Sequence, residues 1–261
     1  MNTETLVTDK ATLENITHVR QWTDKLFSFR TTRPHGYLFT PGQYARLGLS
    51  DNGAIVWRAY SLVSSASDDY LEFYSVVVPN GTFTTLLKDI EPGNTIWIEK
   101  QSYGFMTADR FSDGRELWML ATGTGLGPFI SILRDPMVWR KFADLILVHC
   151  VRHDDEFAYQ DQLLELSRNP PEGATAHLQI IQSVTRATAH QTGRMNGRIT
   201  TLLENGALEK TSGCPITVES ARIMLCGNPA MIEDTRRILH QRGLRPCRRA
   251  VPGQFVTENY W

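Results

Sequence analysis

Four successive residues, Arg58-Ala59-Tyr60-Ser61, set a guanidinium, an aromatic ring and a hydroxyl at the end of one apolar run. In an extended strand Arg58 and Tyr60 share a face and Ser61 takes the other. A guanidinium suits a diphosphate through forked, charge-assisted hydrogen bonds. The phenol ring can lie against a planar heterocycle, and the hydroxyl can bond a ring nitrogen. Taken alone, the four residues fit an ordinary barrel strand better. A second group, Gly123-Thr124-Gly125-Leu126-Gly127, joins an apolar run to a helical stretch. Its third glycine falls one position too early for the G-x-G-x-x-G fingerprint. It still lets backbone approach a ligand, or simply makes a tight turn. Cys226-Gly227-Asn228-Pro229 closes another apolar run; a free cysteine there reads first as a small buried hydrophobe.

The elements that must position these groups divide into two kinds. Through residue 99 the chain reads as short strands: Lys25–Thr31, Tyr44–Leu49, Ile55–Leu62, Tyr70–Val78 and Thr95–Glu99, with a helix over Thr82–Lys88. Turn signals such as Pro41-Gly42 and Asp51-Asn52-Gly53 separate them, which predicts an antiparallel barrel or sandwich. Beyond Gly104, apolar runs alternate with helical stretches. The runs are Leu117–Ala121, Leu145–Cys150, Leu178–Val184 and Arg222–Cys226; the helices include 127–134, Tyr159–Ser167 and Ala230–Arg242. Strand and helix in alternation predict a parallel sheet covered on both faces. The reading is a β-barrel domain over residues 1–106 and an α/β domain over 107–261, with one ligand for each domain.

Bulk properties exclude several classes. A formal charge of −1 gives no general pull toward nucleic acid or an anionic membrane. No run approaches the roughly 18 apolar residues of a membrane helix, and the N-terminus lacks the layout of a signal peptide. A soluble, cytoplasmic, monomeric protein is expected. Cys150, Cys214, Cys226 and Cys247 form no C-x-x-C pair or iron–sulfur run. No metal centre is expected, so any redox chemistry must come from an organic cofactor.

Arg58-Ala59-Tyr60-Ser61 resembles the R-x-Y-S flavin motif of the ferredoxin–NADP reductase superfamily. Pro41-Gly42-Gln43-Tyr44, Leu71-Glu72-Phe73-Tyr74, Gly81-Thr82-Phe83-Thr84-Thr85, the glycine turn at 123–127, Cys226–Pro229 and the ending Asn259-Tyr260-Trp261 follow in the family's order. The resemblance is strongest to the bacterial ferredoxin/flavodoxin–NADP reductase branch. It implies that Arg58 and Ala59 lie along FAD, with Arg58 on its diphosphate, Tyr60 on the ring system and Ser61 near flavin N5. Tyr74, Ser75 and Val76 would line the cofactor, with Thr82, Phe83 and Thr84 at a helix start as a second diphosphate contact or as a simple Thr82 cap. Gly123, Thr124 and Gly125 would hold the NADP(H) diphosphate, and Thr124 would also approach the flavin. Cys226 and Gly227 would flank the nicotinamide. Tyr260 and Trp261 would cover the flavin, Trp261 as a displaceable gate, with Glu258 as a proton partner.

Val151 and Arg152, Thr185 and Arg186, and Arg194 lie near the ends of apolar runs. Arginines there suit a 2′-phosphate, and two charge-assisted bonds of about 1.5–3 kcal/mol each would favour NADP(H) over NAD(H) by about a hundredfold or more. Asp154 and Asp155 could instead pair with them. Arg236, Arg237, Arg242, Arg245, Arg248 and Arg249 offer either a docking face for an acidic ferredoxin or flavodoxin or a solvated helix face. Two other functions share the motifs: a reductase serving an oxygenase or another dedicated acceptor, and a non-catalytic FAD-binding redox sensor.

Overall fold

The computed structural model describes residues 9–187, 193–248 and 251–259. The chain forms two compact units that divide after Phe105. They carry the expected antiparallel barrel sheet and parallel α/β sheet, respectively.

In the first unit, six strands order as β4-β3-β6-β1-β2-β5: β1 Ala11–Gln21, β2 Leu26–Thr32, β3 Tyr44–Asp51, β4 Ala54–Ser61, β5 Tyr70–Val76 and β6 Thr95–Glu99. All neighbours are antiparallel. The outer strands approach each other at a bridge between Leu62 and Phe73, which curls the sheet toward a barrel. Its interior is filled by alternate residues, among them Phe27, Phe29, Leu47, Phe73, Ile96 and Ile98. Phe29 lies directly across from Phe73, ring centroids 5.3 Å apart, a cross-strand pair of the kind that fixes register. Helix α1, Thr82–Leu87, buries Phe83 and Leu87 against this core.

β1 lies before Lys25, where the sequence pattern predicts no strand. That strand buries Glu14, which accepts a hydrogen bond from Thr32, and shifts register between Ile16 and His18. An inward carboxylate and a bulge erase the period-two signal.

The second unit is a parallel sheet in the order β10-β9-β8-β7-β11-β12. Its strands are β7 Glu116–Thr122, β8 Asp144–Val151, β9 His177–Val184, β10 Met195–Asn196, β11 Ala221–Gly227 and β12 Phe255–Asn259. Of the inner strands, β7, β8 and β11 are buried nearly throughout, as a sheet covered on both faces requires. Helices α2 Gly127–Leu133, α3 Pro136–Lys141, α4 Gln160–Arg168, α5 Ile199–Glu204, α6 Ala207–Ser212 and α7 Pro229–Gln241 connect them. α3, α6, β10 and β12 have no counterpart in the sequence pattern. The two helices span only six residues each, too short to show a helical period. The last described segment pairs in parallel with β11 from Phe255 to Asn259. The segment before β7 is tied down too: Arg222, 2% exposed, reaches Asp113 at 2.6 Å, and Lys141 Nζ donates to the carbonyls of Ala108 and Phe111.

Candidate functional site

In the first unit β4 ends on Tyr60 and Ser61. The Tyr60 and Ser75 hydroxyls lie 3.2 Å apart, joining the last residues of β4 to β5. The Tyr60 ring packs on Phe83 of α1, centroids 5.6 Å apart. Burial pushes the Tyr60 phenol up to about 12, partly offset by its bond to Ser75, so it stays neutral. Ser61, Tyr74 and Ser75 are buried. Arg58 and Ala59 are exposed, and Arg58 Nη1 donates to Trp57 O at 2.8 Å. Val76 is half-buried at the end of β5. Thr82 is not the cap of α1: the N-cap is Gly81 and carries no side-chain bond. Thr84 does the local work, receiving the Val78 N–H at 3.1 Å and donating to carbonyls of Val78 and Gly81.

In the second unit β7 is the strand at which the order reverses, with β8 on one side and β11 on the other. Ligands of open α/β sheets bind outside the carboxyl ends of strands at such a point. Two turns meet there. Gly123–Leu126 forms a 3₁₀ turn leading directly into α2, and Gly227 closes β11. Asn228 N–H donates to Thr122 Oγ1 at 2.8 Å, while the Asn228 side chain caps α7 by accepting from Ala230 N–H at 2.9 Å. A Cβ on Gly125 would run into the Cys226 carbonyl, and one on Gly227 into Thr122. Gly227 also has φ +130°. Backbone therefore meets backbone at the two positions where only glycine fits. A Cβ on Gly123 would meet open space. Strand register sets Ala121, Cys226 and Glu258 in a row across β7, β11 and β12. Cys226 is fully buried, and Thr124 is buried in the turn.

The chain matches the model of the oxidoreductase FAD-binding domain over residues 10–104 and that of the oxidoreductase NAD-binding domain over residues 119–237. It is 38% identical over 250 residues to a flavodoxin/ferredoxin–NADP reductase of Rhodobacter capsulatus, covering 94% of this chain and 91% of that one. It is 40% identical over 247 residues to the flavodoxin/ferredoxin–NADP reductase of Escherichia coli strain K12, covering 94% and 97%. Among solved structures, a ferredoxin NADP⁺ reductase from Neisseria gonorrhoeae with bound FAD and NADP superposes with a TM-score of 0.89 at 36% identity, over 96% of this chain and 98% of that one. The chain belongs to the flavodoxin/ferredoxin–NADP reductase family.

Within this ferredoxin–NADP reductase fold the three arginines differ. Arg152 and Arg186 are exposed at the ends of β8 and β9 and are joined through backbone, Arg186 N–H donating to Arg152 O at 2.9 Å. Thr185 N–H donates to Val151 O at 3.0 Å beside them. Arg194 is held: Nη1 meets Asp154 at 2.5 Å, Nε and Nη2 donate to Gln182 and Gln160, and the guanidinium lies 4.6 Å from the Phe157 ring centroid. The pairing with Asp154 that the sequence left open is thus present for Arg194.

Half of the arginine-rich stretch is paired with carboxylates. Arg236 meets Glu233, Arg237 meets Asp234, Arg242 meets Glu209, and Arg245 donates to carbonyls of His240 and Leu244. The three ion pairs offset part of the positive charge, and carbonyl partners offset none. Tyr260, Trp261 and Arg249 lie outside the described residues. Thr122 and His149 belong to no motif in the sequence, yet each holds one of the two turns. Thr122 is a polar residue closing an apolar strand, and His149 is a lone polar side chain inside Leu145–Val151.

Proposed function

We propose that this chain passes electrons between NADP(H) and a flavodoxin or ferredoxin through FAD, residues 1–106 holding FAD and 107–261 holding NADP(H). The observation that carries the reading is the pair of glycine turns closing against each other where the sheet order reverses. The residues fit both groups. Arg58 is exposed for a diphosphate, and the neutral Tyr60 phenol is braced by Ser75 and Phe83 beside buried Ser61. Gly123 leaves room for a diphosphate against backbone.

FAD, when bound, accepts hydride from the nicotinamide and gives electrons up singly. The chain's share is orientation. Arg58 would bind the FAD diphosphate and Tyr60 would pack on its ring system. Gly123, Thr124 and Gly125 would cradle the nucleotide diphosphate, and Cys226 with Gly227 would orient the nicotinamide. Arg152 and Arg186 take the 2′-phosphate. Support for a flavodoxin or ferredoxin as acceptor comes from the relatives' names. The test is anaerobic addition of NADPH to purified protein, followed by a candidate flavodoxin. The flavin is expected to bleach rapidly and to recolour as the carrier is reduced. A colourless protein that takes up no FAD, or a flavin unbleached after minutes, overturns the reading.

A further inference from the structure

His149 sits in β8, a strand otherwise apolar from Leu145 to Val151, and is 1% exposed. An imidazole without a partner at such a site costs several kcal/mol, and an apolar side chain would fill the space at no such cost. Its partner is specific. His149 Nε2 lies 3.1 Å from the carbonyl oxygen of Gly123. A carbonyl only accepts, so Nε2 carries the proton and donates. Burial drives the imidazole down to about 4, which keeps it neutral. The ring edge packs on Phe157, centroids 5.4 Å apart and planes 77° apart. The same phenyl ring carries Arg194.

Gly123 is the residue at which β7 stops being a strand. Its φ of +54° turns the chain into the 3₁₀ turn and α2. The first N–H groups of a helical segment have no partner within it and suit an anion, whereas a carbonyl turned toward the anion would repel it. Tying down the Gly123 carbonyl fixes which way that peptide faces.

We infer that His149 is a positioning residue for nucleotide binding: its Nε2–H holds the Gly123 carbonyl so that the 123–126 turn stays in the form that receives the diphosphate of NADP(H). This rests on the dinucleotide-binding reading of the turn. His149 touches no nucleotide itself and acts through Gly123. Releasing the carbonyl lets the turn spend time in other forms, and the apparent affinity falls by the fraction lost.

The test uses the full FAD-loaded protein. NADP⁺ binding is measured by calorimetry, thermal midpoint and flavin content serve as folding controls, and steady-state kinetics separate KM from kcat. His149→Phe and His149→Leu remove the donor and keep bulk. His149→Gln places an amide N–H at about the reach of Nε2. The apolar variants are expected to raise the NADP⁺ Kd and the NADPH KM by about tenfold, with kcat at saturation and flavin content near wild type. His149→Gln is expected to return Kd to within about twofold of wild type. If the apolar variants bind NADP⁺ normally, or if Gln is as weak as Phe and Leu, His149 is only a core residue and the inference fails. Wild-type protein that binds no NADP⁺ would instead overturn the nucleotide-binding reading beneath it.

Discussion

Arg186 and Arg194 look alike in the sequence, each an arginine shortly after a strand, yet the fold gives them different company. Arg194 spends its guanidinium on Asp154, Gln160 and Gln182. Arg186 is exposed, its backbone pinned to Arg152. A guanidinium already shared with a carboxylate gains less from a phosphate than one that meets it from water, because the old pair must be given up. Arg186→Ala is therefore expected to cost NADPH about ten- to hundredfold in affinity and leave NADH unchanged. Titration of both nucleotides against wild type and variant checks it, and equal losses for the two would refute the 2′-phosphate role. The motif at 58–61 was legible because its chemistry is contiguous. His149 and Thr122 were not, because each acts across strands, on Gly123 and on the Asn228 N–H, and only register brings those partners together.

At the level of elements, the apolar runs at 117–121, 145–150 and 222–226 foretold inner strands because a sheet buried on both faces admits little else. What the sequence hid were elements stabilised from outside themselves. β12 buries only Phe255 and Val256 and owes its strand form to the β11 edge. β1 carries its bulge and inward Glu14 because neighbours on both sides supply the hydrogen bonds. The glycine turn was readable as a ligand loop or a tight turn, and the fold makes it depend on β11. Gly227 meets Thr122 with its Cα face at φ +130°, so an added methyl faces both a steric and a conformational penalty. Gly227→Ala is expected to destabilise the protein by about 2–4 kcal/mol and to abolish NADP⁺ binding. A thermal melt with calorimetric titration reads both; a variant as stable as wild type would mean that the two turns can separate freely.

For the molecule as a whole, the buried imidazole ties the stability of the second unit to pH. In the folded chain His149 takes up the second ring proton that makes it a cation only below about 4, while in the unfolded chain it does so below about 6.5. Above 6.5 neither state is protonated and the folded form has its full advantage. As pH falls from 6.5 toward 4 the unfolded chain takes up a proton that the native core refuses, so stability declines, by about 3 kcal/mol in total. Below 4 both states are protonated and this contribution stops changing. His149→Gln fills the site with a group that does not titrate. Its unfolding free energy, from urea melts between pH 7 and 4, should fall less steeply than wild type by close to one proton's worth of slope. The two curves should run parallel above pH 7. Because each unit has a core of its own, the difference should appear in the transition that exposes Trp118 and Trp139, both buried in the second unit. Identical slopes in the two proteins would mean that the imidazole reaches solvent in the folded state, and the tie between β8 and the Gly123 turn would lose its physical basis.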